Sequence, residues 1–302
     1  MANMTSLLLI VSAFATEPQV SSEVVSAGRL STRLADDDAD LVLFYGAEHE
    51  GSMDPCGCEV RPKGGLARID GYVRAARRAA QDTPSLLLHA GAFLSTDLGD
   101  GADLAPEAVT ANEFMVQGLQ LMGWDVLNLG YRDTLWADGR ELGLPLVSAN
   151  VGGPPPVWLT EVQGRSVAVT GVSTHGLKLL QPDGVEFTDP VNAVRDLLGH
   201  TQADLFVVLA YGEGVPAERL AALDGVDVVI EAGGFRERWE PFVVGDAVWV
   251  RARHEGARLG ELRLWLDGGS ITRAVDRQVD LDVWVPSTRS VERVAKAARK
   301  AK

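Results

Sequence analysis

At 302 residues the chain has room for one large domain or two small ones, and 46% hydrophobic against 23% charged residues give it enough apolar surface for a core, which excludes a disordered or fibrous protein. A formal charge of -14 at pH 7 repels a polyanion unless basic residues gather on one face, so nucleic acid is not an expected partner. Two cysteines exclude a disulfide-built scaffold, yet they stand only two positions apart, as Cys56-Gly57-Cys58, and that spacing asks for a chemical reason.

In chain order, residues 1–15 read as a signal peptide: Leu7 to Val11 is a short apolar run, and Ala13-Phe14-Ala15 has the small-x-small form of a cleavage site. No apolar run approaches the roughly 18 residues of a membrane span, so the expectation is an exported, periplasmic chain with no transmembrane segment. Residues 16–40, with Pro18, several serines and Asp36-Asp37-Asp38, lack periodicity and read as a linker.

Short apolar runs then alternate with helical patterns, the signature of one layered α/β domain over residues 41–285. Strands are predicted at 41–45, 85–89, 125–129, 145–150, 166–172, 204–210 and 227–231. Helices are predicted along the stripe Leu66, Ile69, Val73, Ala76, then at 106–123, 190–199 and 217–223. Residues 242–279 alternate without a helix and predict an antiparallel meander. Residues 286–302 set six basic side chains against Glu292 and read as a basic tail, a solvated helix with the thin apolar stripe Val291, Val294, Ala298.

Several segments carry a resemblance. Gly64-Gly65-Leu66-Ala67-Arg68 opens a helix; Leu86 to Leu94 runs through His89-Ala90-Gly91-Ala92; Met122 to Gly130 runs through Asp125-Val126-Leu127-Asn128. Leu146 to Val151, Val169 to Val172 and Ala203 to Ala210 continue the series. In this order they resemble the catalytic domain of periplasmic 5'-nucleotidase-type (UshA-like, calcineurin-like) metallophosphatases. The resemblance implies a four-layer α/β/β/α sandwich with mixed sheets. Asp54-Pro55-Cys56-Gly57-Cys58 is similar to an exported Cys-Gly-Cys subgroup, some of whose members carry selenocysteine at this place.

A two-metal phosphoesterase holds its cations roughly 3.5–4 Å apart, on carboxylates and imidazoles at loop tips. The family implied by the resemblance uses Asp and His after its first strand, a bridging Asp after the second, Asn and His after the third, and histidines after two later strands. Here the first loop has Glu48, His49 and Glu50, the second Ala92, the third Tyr131 and Arg132, and the later ones Tyr211 and Gly233-Gly234-Phe235. The dinuclear centre is therefore expected to be lost, with Glu48 and Glu50 left to hold at most one cation in a residual phosphoesterase. Arg132 with Tyr211 offers anion binding in its place, and an Arg132-Asp133 salt bridge is the structural alternative.

Cys56 and Cys58 fall in a loop after a strand, where open α/β sheets bind ligands. Three readings stay open: a thiol/disulfide redox pair in a strained ring, a loop staple in an oxidising compartment, or a Zn²⁺ or Cu⁺ site completed by His49 and His89. Lys63, Arg61 and the next helix N-terminus favour a thiolate, whereas Glu48, Glu50, Asp54 and Glu59 oppose it. His89 as a hydrogen-bonded structural histidine is the plain alternative; His175, after a strand and Ser173-Thr174, is positioned either to face the site or as a plain turn histidine, and His200 and His254 belong to no constellation. The first functional expectation is an exported phosphatase-fold protein acting through Cys56 and Cys58 on a thiol or disulfide partner. The second is a pseudo-enzyme that binds a small anion or another ligand.

Overall fold

β-Branched and leucine runs, each closed by glycine or a polar cluster, build two mixed sheets in the computed structural model, which describes residues 17–26, 38–55, 62–99, 103–137, 139–174, 184–234, 240–253 and 256–301. In chain order the first elements are β1 (Gln19–Ser26), β2 (Leu41–Gly46), α1 (Leu66–Ala79), β3 (Ser85–His89), α2 (Pro106–Met122), β4 (Val126–Asn128) and α3 (Tyr131–Ala137). Next come β5 (Leu146–Val147), β6 (Val157–Val162), β7 (Arg165–Ser173), α4 (Pro190–Leu198), β8 (Leu205–Tyr211), α5 (Ala217–Ala221) and β9 (Val228–Ala232). The chain closes with β10 (Phe242–Val244), β11 (Ala247–Arg251), β12 (Arg258–Asp267), β13 (Ser270–Asp280) and α6 (Arg289–Ala301). The expected signal peptide at 1–15 and the Cys56-Gly57-Cys58 pair lie outside the described residues.

The first sheet runs β1-β13-β12-β2-β3-β4-β5 and the second β10-β11-β9-β8-β7-β6. Apolar side chains form three layers. Leu43, Leu88, Leu209 and Ile230 fill the space between the sheets; Phe44, Leu66, Met115 and Leu119 join the first sheet to its helices; Val194, Phe206 and Leu220 join the second sheet to α4 and α5. That stacking is the four-layer α/β/β/α sandwich, and it holds because every sheet face is covered by an apolar stripe.

Three expectations need correction. Within the 16–40 linker, Gln19–Ser26 is an edge strand parallel to β13, with Gln19 opposite Arg273 and Ser26 opposite Asp280. Its sequence is mostly polar, so alternation is faint; Arg277 Nε donates to Glu23 at 2.7 Å and helps hold it. The meander divides between the sheets: β11 runs parallel to β9 in the second, whereas β12 and β13 form a hairpin whose β12 lies antiparallel to β2 in the first. The basic tail is α6, an integral helix that buries Val291 and Ala295 against the first helical layer. A Cβ on Gly71 of α1 would lie 1.7 Å from the Pro286 carbonyl oxygen, so only glycine lets the segment leading into α6 approach this closely.

Candidate functional site

The parallel strands β2, β3 and β4 of one sheet and β7, β8 and β9 of the other deliver their C-terminal ends to a common edge. Asn128, fully buried at the end of β4, joins the two sheets there: its Nδ2 donates to Ala90 O at 2.9 Å, Val172 O at 2.9 Å and Leu209 O at 3.2 Å. The loops after β2 and β3 pair with each other, Glu48 N, Glu50 N and Gly51 N donating to the carbonyls of Gly91, Ala92 and Phe93 at 2.9, 3.0 and 3.0 Å. Glu48 (φ 55°), Glu50 (φ 47°) and Ala92 (φ 58°) adopt left-handed backbone there. Each such non-glycine residue costs on the order of 1 kcal/mol, and the paired loops hold all three in place.

Arg132 stands in this cleft. Its Nη1 donates to Glu50 Oε1 at 2.6 Å, while Nη2 and Nε reach Thr96 Oγ1 at 3.0 and 3.3 Å. Tyr131 stacks on Tyr211 with ring centroids 5.4 Å apart, and a Cβ on Gly130 would sit 2.6 Å from Tyr211 Cδ1, so the ring needs that glycine. Burial raises both tyrosine hydroxyls above their ordinary range, and Tyr131 and Glu48 add to the rise at Tyr211. The expected Arg132-Asp133 salt bridge is not the arrangement found. Fully buried Asp133 accepts N–H bonds from Ala92 at 2.8 Å, Leu94 at 2.9 Å and Gly130 at 3.0 Å, fastening the third loop to the second. Burial pushes its carboxyl up to about 7, against the pull of those donors.

The resemblance implies two cations at this edge, and the residues do not fit them. The buried Ala92 methyl has no lone pair, and Glu50 is already neutralised by a guanidinium 2.6 Å away. Tyr211 is sealed between glycines and kept as a phenol. Among the described residues no group of three His, Cys, Asp or Glu side chains is placed to share an ion.

His49 and His89 do meet. His49 Nδ1 lies 2.8 Å from His89 Nε2, both rings are buried, and the Trp124 ring meets them edge-on at 6.4 and 5.0 Å. Gly91 N donates to His89 Nδ1 at 3.1 Å. That bond assigns the proton of His89 to Nε2, so His89 donates to His49 Nδ1 and His49 carries its own proton on Nε2. Both nitrogens of His89 are thus engaged, and His49 Nε2, without a partner among the described residues, offers an N–H rather than a lone pair. Burial lowers His49 to about 4 and pushes His89 well below 6.5, the neighbouring His49 adding to the fall. Because the unfolded chain binds these protons near pH 6.5, the stability the pair contributes is complete above that pH and is lost as pH falls towards 4. In a proton NMR titration, two of the five histidine ring signals should stay at their neutral positions down to about pH 5; five signals all moving near pH 6.5 would contradict this geometry.

Cys56 and Cys58 lie outside the described residues, as do His175 and His254. The flanks of 56–61 are described. A Cβ on Gly65 would touch Pro55 N at 3.0 Å, and Gly64 N donates to Leu281 O at 2.8 Å. Lys63 donates to Asp280 at 2.9 Å, and Arg258 bonds the same carboxylate. A Cβ on Gly256 would lie 2.6 Å from His49 Nε2, while Gly64 closes against the Gly256 carbonyl, so these flanks share a neighbour with the histidine pair. His200 is exposed after α4, apart from this edge.

No family model matches the chain. Its fold is shared with solved nucleotidases and a sulfate thiohydrolase. The sulfate thiohydrolase SoxB of Thermus thermophilus superposes with a TM-score of 0.73 at 19% identity, over 88% of this chain and 61% of that one. A 5'-nucleotidase precursor, also from Thermus thermophilus, gives 0.67 at 20% identity over 86% and 58%, and the NAD nucleotidase of Haemophilus influenzae 0.65 at 16% over 87% and 56%. The chain therefore spans about three fifths of the length of these structures, and at such identities the likeness is one of fold. Among curated proteins, a 4-methyl-5-nitrocatechol 5-monooxygenase from a Burkholderia species is 29% identical over 53% of this chain, of which the chain spans 35%. No described helix is long and apolar enough to cross a membrane.

Proposed function

We propose that this chain is an exported, metallophosphatase-fold protein that has exchanged the dinuclear centre for Arg132 and works through Cys56 and Cys58 as a thiol/disulfide pair. The observation that carries the loss of hydrolysis is the guanidinium 2.6 Å from Glu50. A fixed organic cation balances the charge of the loop but cannot generate hydroxide from bound water, which two-metal hydrolysis requires. Charge at the base of the cysteine loop supports the thiol assignment. Two of the four carboxylates that oppose a thiolate are already paired, Glu50 with Arg132 and Asp54 with Arg299, while Lys63 and Arg258 bring two cations to the single carboxylate of Asp280.

In the proposed reaction one thiolate attacks a partner disulfide, forming a mixed disulfide and releasing the partner's first thiolate. The second cysteine then displaces the partner's other sulfur, so the pair ends oxidised and the partner reduced. Capture of Zn²⁺ or Cu⁺ by the two thiolates is the alternative within this proposal, and His49 would join them only by moving its proton off Nε2 and giving up the bond from His89. A second reading is favoured by Arg132 itself: at 28% side-chain exposure, beside Tyr131, it has surface to offer a small anion, which makes the cleft a binding site without chemistry.

The two activities are tested together. The expected result is disulfide exchange that Cys58→Ser abolishes, and no increase in hydrolysis of nucleotide esters when Mn²⁺ or Zn²⁺ is added. Metal-dependent turnover retained in Cys58→Ser would show a residual phosphoesterase on Glu48 and Glu50 instead.

A further inference from the structure

α6 presents a surface that its packing does not use. Val291, Val294, Ala295 and Ala298 face the core. At 100° per residue, Arg289, Arg293, Lys296 and Lys300 fall within roughly 60° of one another on the opposite side, and all four are exposed. The single carboxylate of the helix, Glu292, lies off this stripe, where it meets Arg299 and Lys296 at 3.5 Å each. Just before the helix, Val283 and Trp284 stand 55% and 77% exposed, although the adjacent Val285 is buried.

We infer that this face docks on an anionic lipid bilayer. Charge complementarity selects the occupant: a row of four cations stands on one outward face of a chain whose net charge is -14, so this face attracts an anionic surface while the net charge of the chain as a whole opposes it. An aromatic and an aliphatic side chain left in water a few residues before that helix suit the headgroup boundary, where an indole buries its ring and keeps its N–H wet. The apolar stripe of α6 is committed to the core, so the helix lies on the surface through its charges while Trp284 and Val283 supply the insertion.

The test is co-sedimentation of the full chain with vesicles of pure phosphatidylcholine and of phosphatidylcholine with phosphatidylglycerol. Binding only to the anionic vesicles is expected, weakened as salt rises. The variant Arg289→Gln/Arg293→Gln/Lys300→Gln, whose exposed positions leave folding intact by circular dichroism, should bind about a hundredfold more weakly, several-fold for each charge removed. Trp284→Phe should remove the vesicle-induced blue shift of tryptophan emission. Equal binding by the triple variant, no binding to anionic vesicles at low salt, or capture by polyglutamate in place of vesicles would each overturn the inference.

Discussion

Replacing Asn128 with leucine should destabilise the fold by about 3 kcal/mol, and replacing it with aspartate should cost more than about 4 kcal/mol or prevent folding. The side chain is fully buried, and its amide hydrogens serve carbonyls from the β3 loop, β7 and β8, so one group fastens both sheets at the edge where the site sits. Leucine keeps the volume and leaves three oxygens without that donor. Aspartate points a carboxylate at the same oxygens in a space closed by Gly171, where even a Cβ would lie 2.2 Å from Asn128 Oδ1. Equilibrium denaturation of the two variants checks the order; a leucine variant as stable as the parent would mean that the sheets are joined by apolar packing alone.

Arg132→Met should be the most damaging change within the cleft. It removes the bonds to Glu50 and Thr96 and leaves Glu48 and Glu50, two positions apart, without the guanidinium that ties their loop to α3. Breaking a pair whose side chains keep 28% and 31% exposure should cost about 2 kcal/mol, less than for a fully buried pair. Adding Glu50→Gln should recover about 1 kcal/mol of that, because the second change removes the carboxylate charge that the guanidinium had balanced. Arg132→Met should also fail to gain Mn²⁺-dependent hydrolysis, since Ala92 still offers a methyl where a bridging carboxylate is needed. A double-mutant cycle by denaturation measures the coupling, and additive losses would show that the pair is incidental.

The layered core was legible wherever apolar runs were strong. β3 ends where the 85–89 run ends, and α2 stops at Gly123, whose left-handed φ of 67° closes the helix. β1 was not legible, because Val20 and Val25 are its main anchors among polar residues and its partner β13 lies some 250 residues away. The apparent meander failed for a related reason: alternation identifies strands but not the sheet each one joins, and β11 and β12 part company. In the site, Arg132, Tyr211, Glu48 and Glu50 were identifiable by position after their strands. Thr96 and Asn128 were missed: neither is charged, and Asn128 stands before the third loop, where the ligand positions are taken by Tyr131 and Arg132. The Arg132-Asp133 expectation rested on adjacency, but successive residues of α3 point in different directions, and Asp133 turns to backbone N–H groups while Arg132 turns to Glu50.

Intact mass with thiol counting across a series of reducing potentials, with metal analysis of the same sample, tests most directly that this fold now works through its cysteines. A single two-electron step well above about -300 mV, reporting Cys56 and Cys58 together, is the predicted result. A pair that stays oxidised well below that potential, or two thiols that never pair in a metal-free protein, would contradict it and return the function to the Arg132 cleft.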